Sequence, residues 1–230
     1  MKKIASLVLA LVFLFSLAFA EEAPAGVNAF VSITNDENAL VLAYEPIFVT
    51  DQDNDGAITI ADALACAHAA KHENGAEAFA YVPTEYGLSL TLLWGVDNGG
   101  SYGYMVNDAS PLSLQDAIKE GDHVKAYAFT DLVGWTDTYS FFDKAALEVK
   151  VGEAVSLALS AAGYDEMWNP VVLPVEGARV TVNGAEANVA TAEGGVFELT
   201  FEEAGVYVVS AASENMNLVS PVCVITVVQE

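Results

Sequence analysis

Basic residues are scarce in this chain: 8 Lys and Arg stand against 32 Asp and Glu in 230 residues, a formal net charge of −24. Phosphate backbones and anionic bilayer surfaces are held by Lys and Arg, so nucleic acid and acidic lipid are disfavoured as partners. Cysteine is nearly absent as well. Cys66 and Cys223 are the only two, too few for the disulfide framework of a small secreted scaffold. They fall in different halves of the chain, and unpaired thiols packed as small hydrophobes are favoured over one interdomain bridge. Neither a Gly-x-x-x-x-Gly-Lys loop nor a Cys-x-x-Cys pair occurs, and the expectation is that the chain is not an enzyme. His68 and His72 stand at i and i+4, a separation that can place two imidazoles on one metal. Neither a third ligand nor a His-Glu-x-x-His pattern accompanies them, so ordinary helix-face histidines are expected.

Lys2 and Lys3, the apolar run Ile4 to Phe19, and Ala18-Phe19-Ala20 before Glu21 read as a secretory signal peptide over residues 1–20. The apolar run is short for a membrane span, and no Cys follows the cleavage site to carry a lipid. The expected location is secreted, extracellular, with no membrane insertion after signal cleavage. Losing Lys2 and Lys3 makes the mature chain still more acidic.

The most informative run is Asp51-Gln52-Asp53-Asn54-Asp55-Gly56-Ala57-Ile58-Thr59-Ile60-Ala61-Asp62. Calcium takes about 6–8 oxygens, and a twelve-residue loop supplies them from positions 1, 3, 5, 7, 9 and 12. Here these are Asp51, Asp53, Asp55, the Ala57 carbonyl, Thr59 directly or through water, and Asp62. Gly56 falls where the chain must turn sharply, and Ile58 is the apolar anchor. Three Asp at alternate positions repel one another without a cation, so calcium is the expected cofactor. Asp62 replaces the Glu of an EF-hand, and in this the loop resembles dockerin loops.

Val27 to Thr34 and Ala39 to Thr50 read as a hairpin, Ile60 to about Glu73 as an Ala-rich helix, then Leu88 to Trp94 and Gly103 to Val106 as strands. A short helix from Leu112 to Lys119 and a strand from His123 to Thr130 follow. The loop therefore joins a strand to a helix, unlike a paired EF-hand. This order, with Ala61-Asp62-Ala63-Leu64, Trp94-Gly95, Gly103-Tyr104-Met105-Val106-Asn107 and Glu120-Gly121-Asp122-His123-Val124, resembles the transcobalamin-like C-terminal domain. The resemblance implies a β-grasp fold related to soluble-ligand-binding domains over residues 21–132, and a secreted binding module. Aromatics beside the Gly-rich stretch Asn98 to Gly103 can clasp a planar or sugar ligand, and Tyr102, Tyr104 and Trp94 are the candidate ligand contacts.

Residues 133–145 carry Trp135, Tyr139, Phe141 and Phe142, an aromatic junction rather than a flexible linker. From 146 to 230 short β segments recur with Asn183-Gly184 and Ala204-Gly205 turns between them. Val149-Lys150-Val151-Gly152-Glu153 and Ala204 to Ser210 are similar to edges of bacterial immunoglobulin-like domains. The expected architecture is an α+β β-grasp-like domain followed by an all-β immunoglobulin-like sandwich. The expected function is calcium-dependent, non-enzymatic binding or adhesion at or outside the cell surface. A carrier for a corrinoid or other small molecule and an enzyme accessory domain are the alternatives.

Overall fold

The computed structural model describes residues 25–229, so the signal-peptide expectation for 1–20 lies outside the described residues. In the first half, β1 (Gly26–Thr34), β2 (Leu40–Thr50), α1 (Ile60–Lys71), β3 (Ala80–Thr84), β4 (Gly87–Leu92), β5 (Tyr102–Val106) and β6 (His123–Ala128) follow in order. Four of these strands form one sheet in the order β2-β1-β6-β5, with β1 and β6 parallel, and β3 pairs with β4 in a separate hairpin. Period-2 alternation sorts the side chains of β6. Val124 and Ala126 join the core under α1 with Val31, Ile33, Ile60 and Leu64. Tyr127 turns to the other face and packs with Tyr139 and Val219 of the second half.

The second half comprises β7 (Thr138–Phe142), β8 (Ala146–Lys150), β9 (Ala154–Tyr164), β10 (Pro170–Pro174), β11 (Arg179–Val182), β12 (Ala185–Ala190), β13 (Val196–Thr200), β14 (Gly205–Ala212), β15 (Leu218–Val219) and β16 (Cys223–Val228). One sheet runs β10-β9-β7-β15 with β13 also on β9; the other runs β12-β11-β14-β16-β8. Leu157 and Leu159 of β9, Phe197 of β13, Val209 of β14 and Ile225 of β16 meet in one core between the sheets. Burying each such side chain stabilises by about 1.5–3 kcal/mol. Residues 133–145 contain β7, which pairs antiparallel with β9 and parallel with β15.

The expected fold class is corrected: this is not an α+β β-grasp-like domain followed by an all-β immunoglobulin-like sandwich. The described residues are mostly β, with one twelve-residue α-helix among them. The physical reason lies partly in residues 112–119, which form turns and a bridge in place of the expected second helix. An α-helix leaves its first N–H groups without internal partners. The carbonyls of Asp116 and Leu114 accept the N–H groups of Ile60 and Ala61 (3.2 and 2.9 Å), and Ile118 N–H donates to the Ile58 carbonyl (2.9 Å). The segment is drawn along the start of α1, and its local helical pattern yields to that demand.

The halves meet through polar contacts as well as aromatic ones. Asn38 Nδ2 donates to the Leu218 carbonyl (2.7 Å), its Oδ1 accepts from Ser220 N–H (2.9 Å), and Ser220 Oγ donates to the Asn38 carbonyl (2.7 Å). Lys125 is buried on the junction face of β6. Its ammonium contacts Asp108, which also accepts from the Tyr139 hydroxyl (2.6 Å), and lies 5.5 Å from the Tyr139 ring centroid.

Candidate metal centre

The strand β2 ends at Thr50 and α1 begins at Ile60, and the acidic loop spans the gap. Asp51 organises it. Its Oδ1 accepts from Asn54 N–H (2.7 Å) and its Oδ2 from Gly56 N–H (2.9 Å). Asn54 and Gly56 adopt φ of 61° and 90°, a region open to Asn and Gly at little cost. Asp53 and Asp55 each accept an N–H from two residues ahead, at 3.2 and 2.8 Å. The result brings the carboxylates of Asp51, Asp53 and Asp55 together, with one oxygen of each within 4.8 Å of the others.

Electrostatics follow from this crowding. The Gly56 N–H, more than any other contact, holds the Asp51 carboxyl below its ordinary range. Loss of water around Asp53, with the charges of Asp55 and Asp62, pushes its carboxyl up. Partial burial and then the charges of Asp53, Asp62 and Asp55 push up the Tyr81 hydroxyl.

Thr59 and Asp62 are placed differently from Asp51, Asp53 and Asp55. Thr59 caps α1, and the two close a capping box: Asp62 Oδ2 accepts from Thr59 N–H (2.8 Å) and Thr59 Oγ1 (2.7 Å). The other Asp62 oxygen accepts from Gln52 N–H (2.7 Å), which ties the start of the loop to the helix. Ala57 N–H donates to Asp55. The donor set suits a hard cation: all the candidate donors are oxygens, and one oxygen of each of Asp51, Asp53 and Asp55 lies within 4.8 Å of the others.

The helix histidines do something else. His68 is fully buried, its Nδ1 donating to the Leu64 carbonyl (2.6 Å) and its Nε2 accepting from Trp94 N–H (2.9 Å). Both nitrogens are occupied, so no metal is shared with His72. Trp94, at φ 53°, packs its ring against both imidazoles, with centroids 5.2 and 4.8 Å away.

Tyr102 and Tyr104 line an open cleft of about 700 Å³, with Thr84 to Tyr86, Leu88 to Leu90 and Gly100. Trp94 is not among its lining residues. The Tyr102 hydroxyl lies 2.8 Å from the Val96 carbonyl and 3.1 Å from the Thr91 carbonyl, and accepts from Asn98 N–H (3.3 Å), so it serves the fold before any ligand. Cys66 and Cys223 are both free thiols, and burial pushes the Cys223 thiol up to about 12. The Lys125, Asp108 and Tyr139 cluster went unforeseen; a Lys in the middle of an apolar strand, His123-Val124-Lys125-Ala126, was the available signal.

No family model matches the chain, and no curated protein matches it. Among solved structures, it is similar to the N-terminal four Ig domains of Dscam1 isoform 6.9, at 10% identity and a TM-score of 0.25 over 48% of this chain and 24% of that one. The same domains of isoform 4.44 match at 9% identity and TM-score 0.25 over 65% and 32%. The chain thus spans about a quarter to a third of these structures. Likeness at that level assigns neither fold nor activity. Among the described residues no helix is long and apolar enough to cross a membrane.

Proposed function

We propose that this is a secreted, calcium-stabilised protein that binds a partner in the extracellular space and performs no chemistry on it. The observation that carries the calcium reading is the convergence of Asp51, Asp53 and Asp55 around a left-handed Gly56. Like charges this close cost on the order of 1 kcal/mol per pair even near water, and a divalent cation reverses the sign. The junction of β2 and α1 gives the ion a structural role, since the loop fixes where the strand hands over to the helix.

Binding to the folded state alone stabilises by about 2.7 kcal/mol at a hundredfold excess over Kd. Calcium is therefore expected to raise the melting temperature of the chelated protein, and titration calorimetry to show one ion per chain. Asp51→Asn should abolish most of the gain, because Asp51 both ligates and organises the turn. Magnesium should substitute poorly, since it demands a smaller octahedral site. Identical melting curves in calcium and chelator, with no heat of binding, would refute the assignment.

A further inference from the structure

We propose that the cleft between β4 and β5 receives an extended, basic peptide segment as an added strand. β5 is an edge of the sheet β2-β1-β6-β5, and β4 has β3 as its one strand partner among the described residues. Phe129 N–H donates to the Ser101 carbonyl and Asn107 N–H to the His123 carbonyl, both at 3.0 Å. Antiparallel pairing alternates, so Gly103 and Met105 also turn their main-chain groups to β6. Tyr102 and Tyr104 turn theirs outward, toward the cleft.

The two strands approach at one end and part at the other. A Cβ on Gly100 would lie 3.9 Å from the Leu90 carbonyl oxygen, and the Tyr102 hydroxyl reaches the Thr91 carbonyl. Thr84, Glu85 and Tyr86 form the far rim of the cleft. Natural sheets guard free edges with charges, Pro or bulges. Tyr102 to Val106 and Gly87 to Leu92 carry neither a charged residue nor Pro. An extended main chain is the ligand that offers alternating N–H and C=O groups at strand spacing. Glu85 is the one charged residue lining the cleft, in a chain of net charge −24. A segment bearing Lys or Arg is attracted and an acidic one repelled.

This names the partner class of the binding reading, yet no residue of the calcium loop lines the cleft, so the two can fail separately. The probe is a displayed library of peptides about seven residues long, a common strand length, selected against the folded mature protein in calcium. The most enriched sequence is then synthesised. The expected result is a basic peptide that slows exchange of the Tyr102 and Tyr104 amides about tenfold or more and loses binding when its alternate amides are N-methylated. Ser89→Trp, which fills the cleft, should weaken binding about tenfold, or 1.4 kcal/mol. If that variant does not fold, the exchange measurement decides alone. No enrichment over a bare surface, or a bound peptide that leaves both amides exchanging as before, overturns the proposal. A lost calcium response would appear in the calorimetry and not here.

Discussion

Lowering the pH from 7 to 5 is expected to remove about 4 kcal/mol of folding stability, through two buried histidines at about 2 kcal/mol each. Burial holds His68 down at about 4 and His123 down at about 3, the latter also because Lys125 is near. Each imidazole is hydrogen-bonded inside the fold. The Nε2 of His68 already faces the Trp94 N–H. Ser32 Oγ accepts from Tyr44 N–H (2.9 Å) and lies 2.8 Å from His123 Nε2. The unfolded chain binds protons below about pH 6.5 that the folded chain does not. Stability is therefore level above that pH and falls as the pH drops toward 4. Carboxylates held low act in a more acidic window; Asp131, bonded by the Gly134 N–H, sits at about 2. Urea midpoints at pH 7 and 5 check this, and equal midpoints would show that both imidazoles are protonated in the native state.

Asp108→Ala is expected to cost about 3 kcal/mol, because it strands the Lys125 ammonium in the junction between the halves. Lys125 is 7% exposed, and desolvation already pulls its amine down while Asp108 supports it. Truncation also takes the acceptor from the Tyr139 hydroxyl. Removing both charges tells the pair apart from its shape. A buried ion pair replaced by apolar groups is often neutral, so Lys125→Met with Asp108→Ala should recover most of the loss. Denaturant unfolding of the single and double variants measures both, and a single variant with a wild-type midpoint would show that water reaches the amine.

The strands were the most legible part of the chain. Val155, Leu157, Leu159 and Ala161 alternate with polar or small neighbours, and β9 forms with that register facing the core. The helix α1 was legible from its Ala-rich run, and the loop before it from the spacing of Asp51, Asp53, Asp55 and Gly56. Tyr102 and Tyr104 are legible as cleft residues from their place beside glycines, whereas Trp94, of the same aromatic set, packs against the imidazoles of α1. Aromatic residues near each other in sequence give no sign of which face of the sheet each will take.

What the sequence determined alone is what depends on neighbours a few residues away, strand periodicity and the cap and turn chemistry of the acidic loop, together with a net charge of −24. Distant demands decided the rest. Residues 112–119 form turns and a bridge in place of a helix because the first N–H groups of α1 need carbonyls, and Leu114 and Asp116 supply them. His68 is held neutral by its burial, and Trp94, 26 residues on, supplies the N–H that its Nε2 accepts. Lys125 is tolerated inside because Asp108 and Tyr139 converge on it from another turn and another sheet. Burial and hydrogen-bond satisfaction are properties of a site in three dimensions, and no periodicity along the chain encodes which distant group will supply them.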